Sequence, residues 1–271
     1  MRIGVAATAP LGADVLERLN EMHDVAFLLT RPDRPQGRGR RVGAPPAKQV
    51  AERLGIEVRQ PEKLDESTNI DGVEAIVVAA YGALIPEVLL ERTLWLNVHP
   101  SLLPRWRGAA PVERAIMAGD TESGVTIHRT TAELDAGPIA AQQAFSIEGE
   151  DAGGVYAKAG ELAAELLAGV LAAPEFHPQP EEGATYADRL TAADRELDWD
   201  RPADELLNRI RALSPHIGAR GVVDGRTLTV WRAAPAGSDA RLTAGGLELL
   251  EVQPESKRRM TGEEYLRGLR D

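Results

Sequence analysis

Six apolar residues stand in a row at Ala75-Ile76-Val77-Val78-Ala79-Ala80. A short apolar run without polar alternation is typical of a strand that is buried on both faces, as in a parallel sheet. Stretches with helical spacing of apolar residues separate this run from similar ones on either side. Such alternation predicts βαβ units and an α/β fold with a mainly parallel sheet. Strands are expected at residues 3–7, 25–30, 75–80, 94–99 and 125–129, and helices at 12–20, 46–54, 86–91 and 112–118.

The second half of the chain has a different composition. A helical pattern over residues 155–172 is followed by a stretch rich in Pro, Glu, Asp and Gly at 174–200, which indicates a linker. After an amphipathic helix at 203–213, short apolar runs separated by Gly turns predict a small β-rich, barrel-like domain. Its strands are expected at residues 218–223, 227–233 and 247–252, and a last helix at 262–269. The expected domains are therefore a large one over 1–180, a linker over 181–202 and a small one over 203–271.

The composition limits the class of protein. The chain contains no cysteine, which excludes disulfides, thiolate metal sites and Cys nucleophiles and favours an intracellular protein. Its five histidines include no His-x-x-x-His pair, so no metal site is expected. No run is long and apolar enough for a membrane span, and the first residues lack a signal-peptide pattern. We expect a cytoplasmic protein.

Charge is unevenly distributed. The net charge of −11 argues against broad, non-specific binding of nucleic acid. Residues 31–48 nevertheless carry six basic side chains and one Asp. A basic loop on an acidic body favours a specific polyanionic partner, for example through phosphate contacts, although a solvated loop without a ligand has the same composition.

The end of the fourth predicted strand and the residues that follow it carry the strongest signal for chemistry. They read Asn97-Val98-His99-Pro100-Ser101-Leu102-Leu103-Pro104-Arg105-Trp106-Arg107-Gly108-Ala109-Ala110-Pro111. Asn97 and His99 lie two apart on a strand and therefore point to the same face, at the sheet edge where α/β proteins place their chemistry. An Asn amide can stabilise an oxyanion, and a neutral imidazole can take a proton from an attacking amine. A lone His at a strand end is, however, more often structural.

Two further segments are candidates. Leu134-Asp135-Ala136-Gly137-Pro138 offers a carboxylate that could orient His99, although Asp-x-Gly is also a common turn. Ala79-Ala80-Tyr81-Gly82-Ala83-Leu84-Ile85-Pro86 could let the backbone approach a flat ligand, or could simply connect a strand to a helix. The first strand is followed by no Gly-x-Gly-x-x-Gly, so a dinucleotide site has no support.

Three of these motifs together resemble the signature of formyltransferases that use 10-formyltetrahydrofolate. They are Asn97-x-His99, then Ser101-Leu102-Leu103-Pro104, then Leu134-Asp135-x-Gly137. The resemblance implies a Rossmann-like formyltransferase domain followed by an OB-like C-terminal domain, with Asn97, His99 and Asp135 as the catalytic set. It also implies a folate co-substrate and no metal. The folate-binding residues that it implies are Tyr81, Gly82, Leu84, Ile85, Pro86, Ser101, Leu102, Leu103 and Pro104.

Other segments are similar in particular to the family members that formylate the methionine carried by initiator tRNA. These are Arg105-Trp106-Arg107-Gly108-Ala109-Ala110-Pro111, the loop at residues 32–41, and Thr185-Tyr186-Ala187-Asp188-Arg189-Leu190 in the linker. The resemblance implies a monomer that transfers the formyl group to the α-amine of methionyl initiator tRNA. The tRNA-binding residues that it implies are Arg34, Arg38, Arg40, Arg41, Arg105 and Arg107.

The chain also departs from the family. It has Ala7-Thr8-Ala9-Pro10 where members usually have Gly-Thr-Pro, and its C-terminal domain is short between Trp231 and Leu247. An alternative is a sugar-nucleotide N-formyltransferase of the same superfamily, against which the Arg-rich loop and the Trp-Arg-Gly-Ala-Ala-Pro run argue. A folate hydrolase of related fold would leave both of those motifs unused. A non-catalytic tRNA- or folate-binding module would leave Asn97, His99 and Asp135 without a role.

Overall fold

The computed structural model describes residues 1–36 and 41–269. The chain forms two compact units, each assembled from several segments. The first contains Met1–Arg107, Gly124–Ala144 and Tyr156–Tyr186, and the second contains Gly108–Ser123, Phe145–Val155 and Ala187–Asp271. The domain boundaries expected near residues 180 and 202 stay a prediction.

Strands and helices alternate through the first unit and strands dominate the end of the chain. The strands are β1 (Arg2–Ala7), β2 (Asp24–Leu29), β3 (Arg34–Gln36), β4 (Arg41–Gly43), β5 (Glu57–Arg59), β6 (Ala75–Ala79), β7 (Leu94–His99), β8 (Arg107–Gly108), β9 (Glu122–Arg129), β10 (Ile139–Ser146), β11 (Tyr186–Ala187), β12 (Ala219–Val223), β13 (Arg226–Pro235), β14 (Thr243–Ala244), β15 (Leu247–Pro254) and β16 (Met260–Thr261). The helices are α1 (Pro10–Met22), α2 (Pro46–Leu54), α3 (Glu87–Leu90), α4 (Pro111–Met117), α5 (Ala152–Ala172), α6 (Ala203–Leu213) and α7 (Gly262–Arg267), with a 3₁₀ turn at Ala193–Arg195.

The first unit is built on a seven-stranded sheet in the order β10-β9-β7-β6-β1-β2-β5. Its central strands are parallel: β1 pairs with β2 and β6, β6 with β7, and β2 with β5. The mainly parallel α/β architecture predicted from the sequence is confirmed. Strand β9, by contrast, runs antiparallel to β7, so the last predicted strand of this region joins the sheet in the opposite direction.

Burial explains the apolar runs. All five residues of β6 are buried, and the sixth residue of the run, Ala80, leaves the strand with a φ of 47°. Its neighbour β1 is buried from Ile3 onward, and Gly4 packs so closely that an added Cβ would lie 2.6 Å from the Phe27 ring. Trp95 on β7 is 1% exposed, and its indole N–H donates to the Leu89 carbonyl at 2.8 Å. Strands β1 and β6 are thus covered on both faces, as continuous apolar runs require.

The second unit is organised around an antiparallel sheet in the order β12-β13-β15-β14, with β16 paired to β15. Helix α6 packs onto this sheet through Leu206, Ile210 and Leu213, which join a core that includes Leu228 and Val230. The β-rich C-terminal part is therefore as predicted. Strand β13 is longer than the apolar pattern indicated and continues to Pro235, because it pairs along β15 as far as Leu247.

Candidate active site

Asn97 and His99 lie at the end of β7, beside the antiparallel strand β9. The register places Asn97 opposite His128 and His99 opposite Thr126. The Asn97 amide nitrogen donates to His128 Nε2 at 3.0 Å and to Asp135 Oδ1 at 3.2 Å. The structure thus brings Asp135, which is 38 residues further along the chain, onto the face that Asn97 and His99 share.

His99 is held between two oxygen atoms. Its side chain is buried, and Nε2 lies 2.8 Å from the Trp106 carbonyl, which can only accept, so Nε2 carries a proton. Nδ1 lies 3.7 Å from Asp135 Oδ2. Burial lowers the pKa of His99, while the Asp135 carboxylate acts to raise it and the neighbouring His128 to lower it. Since burial is the largest of these effects, His99 is a neutral imidazole near pH 7, with the unprotonated Nδ1 on the side of Asp135.

A tight turn presents Asp135. The residue has a φ of 49°, a left-handed conformation that is uncommon outside glycine. Two positions later, a Cβ added to Gly137 would lie 1.8 Å from the Arg129 carbonyl oxygen, so the turn lies against the end of β9 at a distance that only glycine allows. The side-chain amide of Gln179 donates to the carbonyls of Asp135 and Gly137 at 2.8 and 2.7 Å. The carboxylate is therefore aimed by backbone geometry.

His128 belongs to the same cluster, and the sequence reasoning missed it. It is 1% exposed, accepts from Asn97 at Nε2, and has Nδ1 3.1 Å from the Arg129 carbonyl. Both contacts are satisfied by one neutral tautomer, in which the proton is on Nδ1. No local motif marks His128, because its place beside Asn97 depends on the pairing of β7 with β9. Gln179 was missed as well, since a Gln in a Pro-rich segment has no motif of its own.

The segment 101–104 is held by internal hydrogen bonds. Ser101 Oγ donates to the Arg105 carbonyl at 2.7 Å, and the Leu103 backbone N–H donates to Thr126 Oγ1 at 3.1 Å. Thr126 Oγ1 in turn donates to the Ser101 carbonyl at 2.7 Å. The loop that follows His99 is therefore tied to β9. Within the segment 101–104, Ser101 and Leu103 are buried, and Leu102 and Pro104 are half-buried.

The loop after β6 leaves the same edge of the sheet, because β6 and β7 are parallel neighbours. Tyr81 is 3% exposed and its carbonyl accepts from Thr8 Oγ1 at 2.9 Å. Gly82 has a φ of 76° and open space beside its Cα. Leu84 is 79% exposed, which is unusual for a large apolar side chain. The remaining members of the predicted set, Ile85 and Pro86, are half-buried.

The arginines expected at a tRNA surface fall into different places. Arg34 is exposed on β3, and Arg41 begins β4, which pairs antiparallel with β3. Arg105 is exposed, with its guanidinium carbon 4.6 Å from the centre of the Trp106 ring. The two remaining residues of the predicted basic loop, Arg38 and Arg40, lie outside the described residues.

Arg107 differs from this expectation. It is 3% exposed, and its guanidinium donates from Nε and Nη2 to Gln179 Oε1 at 3.1 and 2.9 Å. The chain after Trp106 turns this side chain inward, toward the segment that holds Asp135. In this position Arg107 does not present its charge to a phosphate on the surface.

Within residues 1–36 and 41–269, no three His, Cys, Asp or Glu side chains are grouped so that they could hold a metal ion. Among the helices that the structure describes, none is long and apolar enough to cross a membrane.

Comparison with known proteins adds independent findings. Residues 1–171 match the family model described as formyl transferase, and residues 189–270 match that of the formyl transferase C-terminal domain. The chain is 37% identical to a methionyl-tRNA formyltransferase of Dechloromonas aromatica, over 99% of this chain and 96% of that protein. It is 38% identical to a methionyl-tRNA formyltransferase of Paracoccus denitrificans, over 99% of this chain and 98% of that protein.

A solved structure has the same fold. It is WlaRD, a sugar 3N-formyl transferase in the presence of dTDP and 5-N-formyl-THF, which superposes with a TM-score of 0.67 at 17% identity, over 95% of this chain and 99% of that chain. At this level of identity the likeness concerns the fold. The substrate class is indicated by the sequence relatives, which match over nearly their whole length.

Proposed function

Since the chain belongs to the formyl transferase family, we propose that Asn97, His99 and Asp135 are the residues with which it transfers a formyl group from 10-formyltetrahydrofolate to the α-amine of methionyl initiator tRNA. One observation supports the assignment of these residues above all. The Asp135 carboxylate lies 3.2 Å from the Asn97 amide nitrogen and 3.7 Å from His99 Nδ1. An amide, an imidazole and a carboxylate thus converge at the exit of a parallel strand.

His99 supplies the base. The amine attacks the formyl carbon, a C–N bond forms, and the amine proton passes to the unprotonated Nδ1. The resulting imidazolium has an acceptor at each nitrogen, the Trp106 carbonyl at Nε2 and the Asp135 carboxylate at Nδ1. It then returns the proton to the folate nitrogen as the bond between that nitrogen and the formyl carbon breaks. General acid–base catalysis of this kind contributes about 10²–10⁴-fold.

Asn97 stabilises the oxyanion. Both hydrogens of its amide have protein acceptors in this structure, one on His128 and one on Asp135. The hydrogen bond to Asp135 is the longer of the two. During the reaction it competes with the positively charged imidazole of His99 for the Asp135 carboxylate. We propose that this hydrogen turns to the formyl oxygen as Asp135 pairs with the imidazolium. Loss of one oxyanion donor costs about 2.7–4 kcal/mol of transition-state stabilisation.

The loops around this cluster bind the two substrates. The exposed Leu84 and the open Gly82 offer an apolar side chain and free backbone to the pterin ring. Residues 101–104 follow the neighbouring strand β7 and complete this site. The exposed Arg105, together with the loop of Arg34, Arg38, Arg40 and Arg41, binds tRNA phosphates. From the family resemblance and the cysteine-free composition, we further propose that the protein acts as a cytoplasmic monomer.

Replacement of Asn97 or His99 by alanine tests the assignment. The purified variants are assayed with 10-formyltetrahydrofolate and either charged initiator tRNA or an amino-sugar nucleotide. The wild-type protein is expected to formylate the tRNA and not the sugar, and each variant is expected to lose about 10²-fold or more in kcat. His177→Ala, a change at an exposed histidine of the same unit, is the control and should be fully active. Full activity of His99→Ala would refute the catalytic assignment, and formylation of the sugar alone would refute the acceptor.

A further inference from the structure

Gln179 connects the Asp135 turn to Arg107. Its amide nitrogen donates to the carbonyls of Asp135 and Gly137, at 2.8 and 2.7 Å. Its amide oxygen accepts from Nε and Nη2 of Arg107, at 3.1 and 2.9 Å. Every polar atom of the Gln179 side chain is therefore engaged, and two of its bonds end on the turn that carries the proposed catalytic carboxylate.

Arg107 ties this arrangement to the other side of the site. It directly follows Trp106, whose carbonyl lies 2.8 Å from Nε2 of His99. The path from His99 through Trp106, Arg107 and Gln179 thus returns to Asp135. Burying a guanidinium costs free energy unless it is well bound, so Arg107 is placed here for its contacts rather than for exposure to solvent.

The backbone needs such support. Asp135 and Trp106, with φ values of 49° and 65°, are both in the left-handed region that non-glycine residues disfavour. The carbonyls that Gln179 binds belong to Asp135 itself and to Gly137, so its two bonds span the turn. Without them, the turn would relax toward a commoner conformation, and the carboxylate would move away from Asn97 and His99.

We propose that Gln179 and Arg107 are positioning residues that hold the backbone of the Asp135 turn in place. Neither touches the reacting atoms. The inference rests on the proposed catalytic role of Asp135 and deepens it, and it gives Arg107 a task other than the tRNA contact expected from the sequence.

Two substitutions at Gln179 separate the contacts. Gln179→Glu keeps an acceptor for Arg107 and removes the donors to the two carbonyls. Gln179→Met removes both kinds of contact without adding a charge. The control is Gln143→Glu, the same change at an exposed position of β10. The measurements are kcat, KM for each substrate, the pH dependence of kcat and the temperature of unfolding.

We expect kcat of Gln179→Glu to fall by about 10²-fold, which is the loss typical of a reacting group displaced by about 1 Å. KM for tRNA and folate should change less than about twofold, because uniform binding is intact. In Gln179→Met the pH at which kcat reaches half its maximum should fall, because the Asp135 carboxylate acts to raise the pKa of His99. His128 and the Trp106 carbonyl, the other groups beside His99, are unchanged by this substitution.

Asp135→Asn, alone and with Gln179→Glu, distinguishes the possible failures. If Gln179 acts through Asp135, the double variant is expected to be no slower than Asp135→Asn. The positioning role would be overturned if Gln179→Glu and Gln179→Met both kept the wild-type kcat and pH dependence while Asp135→Asn was inactive. The proposed function would still stand in that case. Full activity of Asp135→Asn would overturn the catalytic assignment beneath it. If Arg107→Lys raised KM for tRNA and changed neither kcat nor KM for the folate, Arg107 would be a tRNA-binding residue, and the proposal would also be overturned.

Discussion

At the level of single residues, the opposing influences on His99 decide what the site can do. Burial makes the imidazolium costly, whereas Asp135 and the Trp106 carbonyl would both stabilise it. The ring is therefore neutral before the reaction and has two acceptors ready once it takes a proton. This is the behaviour required of the base that we propose His99 to be, which must also release its proton in the same turnover.

A pH dependence follows from this balance. Because burial lowers the pKa of His99 below its ordinary value of 6.5, kcat should rise with pH through a midpoint below 6.5 and level off above it. A base with a raised pKa would instead give a midpoint above 6.5. The measurement is kcat at saturating substrates between pH 5 and 8, with single-turnover rates to isolate the chemical step. A midpoint above 6.5 would show that Asp135 outweighs burial.

At the level of elements, β3 and β4 form a two-stranded sheet of their own, and the sequence between them adds Arg38 and Arg40 to Arg34 and Arg41. Among residues 1–36 and 41–269 the two strands pair only with each other, Arg34 opposite Gly43 and Gln36 opposite Arg41. This arrangement presents Arg34 to solvent, on a protein whose net charge is −11. A localised basic segment of this kind attracts an anionic partner while the acidic body discourages non-specific binding.

Neutralising this segment should weaken tRNA binding selectively. In the triple variant of Arg34, Arg38 and Arg40 to Gln, KM for tRNA should rise and its dependence on salt should flatten, because fewer counterions are released on binding. KM for the folate should not change. Steady-state kinetics at three salt concentrations provide the measurement.

A matched control uses three arginines of the same unit whose side chains are 61%, 40% and 55% exposed, Arg2, Arg18 and Arg53, also changed to Gln. It should leave the salt dependence as it is in the wild type. If both triple variants flatten it equally, the effect comes from total charge and not from the loop.

At the level of the whole molecule, contacts between distant parts of the chain assemble each unit. In the second unit, Arg114 on α4 binds Asp194, which is 80 residues further along, with Nη1 2.6 Å from Oδ1. The Asp194 side chain is 17% exposed. The guanidinium of Arg114 and the hydrogen bonds from Thr191 lower the pKa of Asp194 to about 2. The contact ties α4 to the segment that precedes α6.

This ion pair should make stability depend on pH in the acid range. A carboxylate whose pKa falls from 3.8 to about 2 on folding stabilises the protein fully above pH 3.8, and the contribution is lost as the pH falls toward 2. This contribution to the free energy of unfolding is about 2 kcal/mol. Asp194→Asn should lower the free energy of unfolding at neutral pH by about this amount and reduce its loss in acid, as measured by urea denaturation between pH 2 and 7.

The control for Asp194 is Asp71→Asn. Asp71 also pairs with an arginine, Arg92, at 2.8 Å, but its side chain is 82% exposed. Pairs in such surroundings contribute about 0–1 kcal/mol. If the two substitutions lowered the free energy of unfolding equally, burial of Asp194 would contribute nothing to the strength of its ion pair.

Much of the fold and part of the site were predictable because the evidence for them is local. Apolar runs such as Ala75–Ala79 are typical of buried parallel strands, and the period of two places Asn97 and His99 on one face in any strand. The inward turn of Arg107 was not predictable. In sequence it is one of several arginines near a proline-rich loop, and its burial depends on a glutamine 72 residues away.

By itself, the sequence determined the parallel sheet, the β-rich end of the chain, the family and the shared face of Asn97 and His99. These follow from periodicity, turn residues and short motifs, which act over a few neighbouring residues. Only the tertiary structure decided that His128 and Asp135 meet Asn97, and that Gln179 and Arg107 hold the Asp135 turn. The physical reason is that these contacts depend on the antiparallel pairing of β7 with β9 and on the return of residues 177–179 to the sheet. No local pattern of residues encodes such long-range encounters.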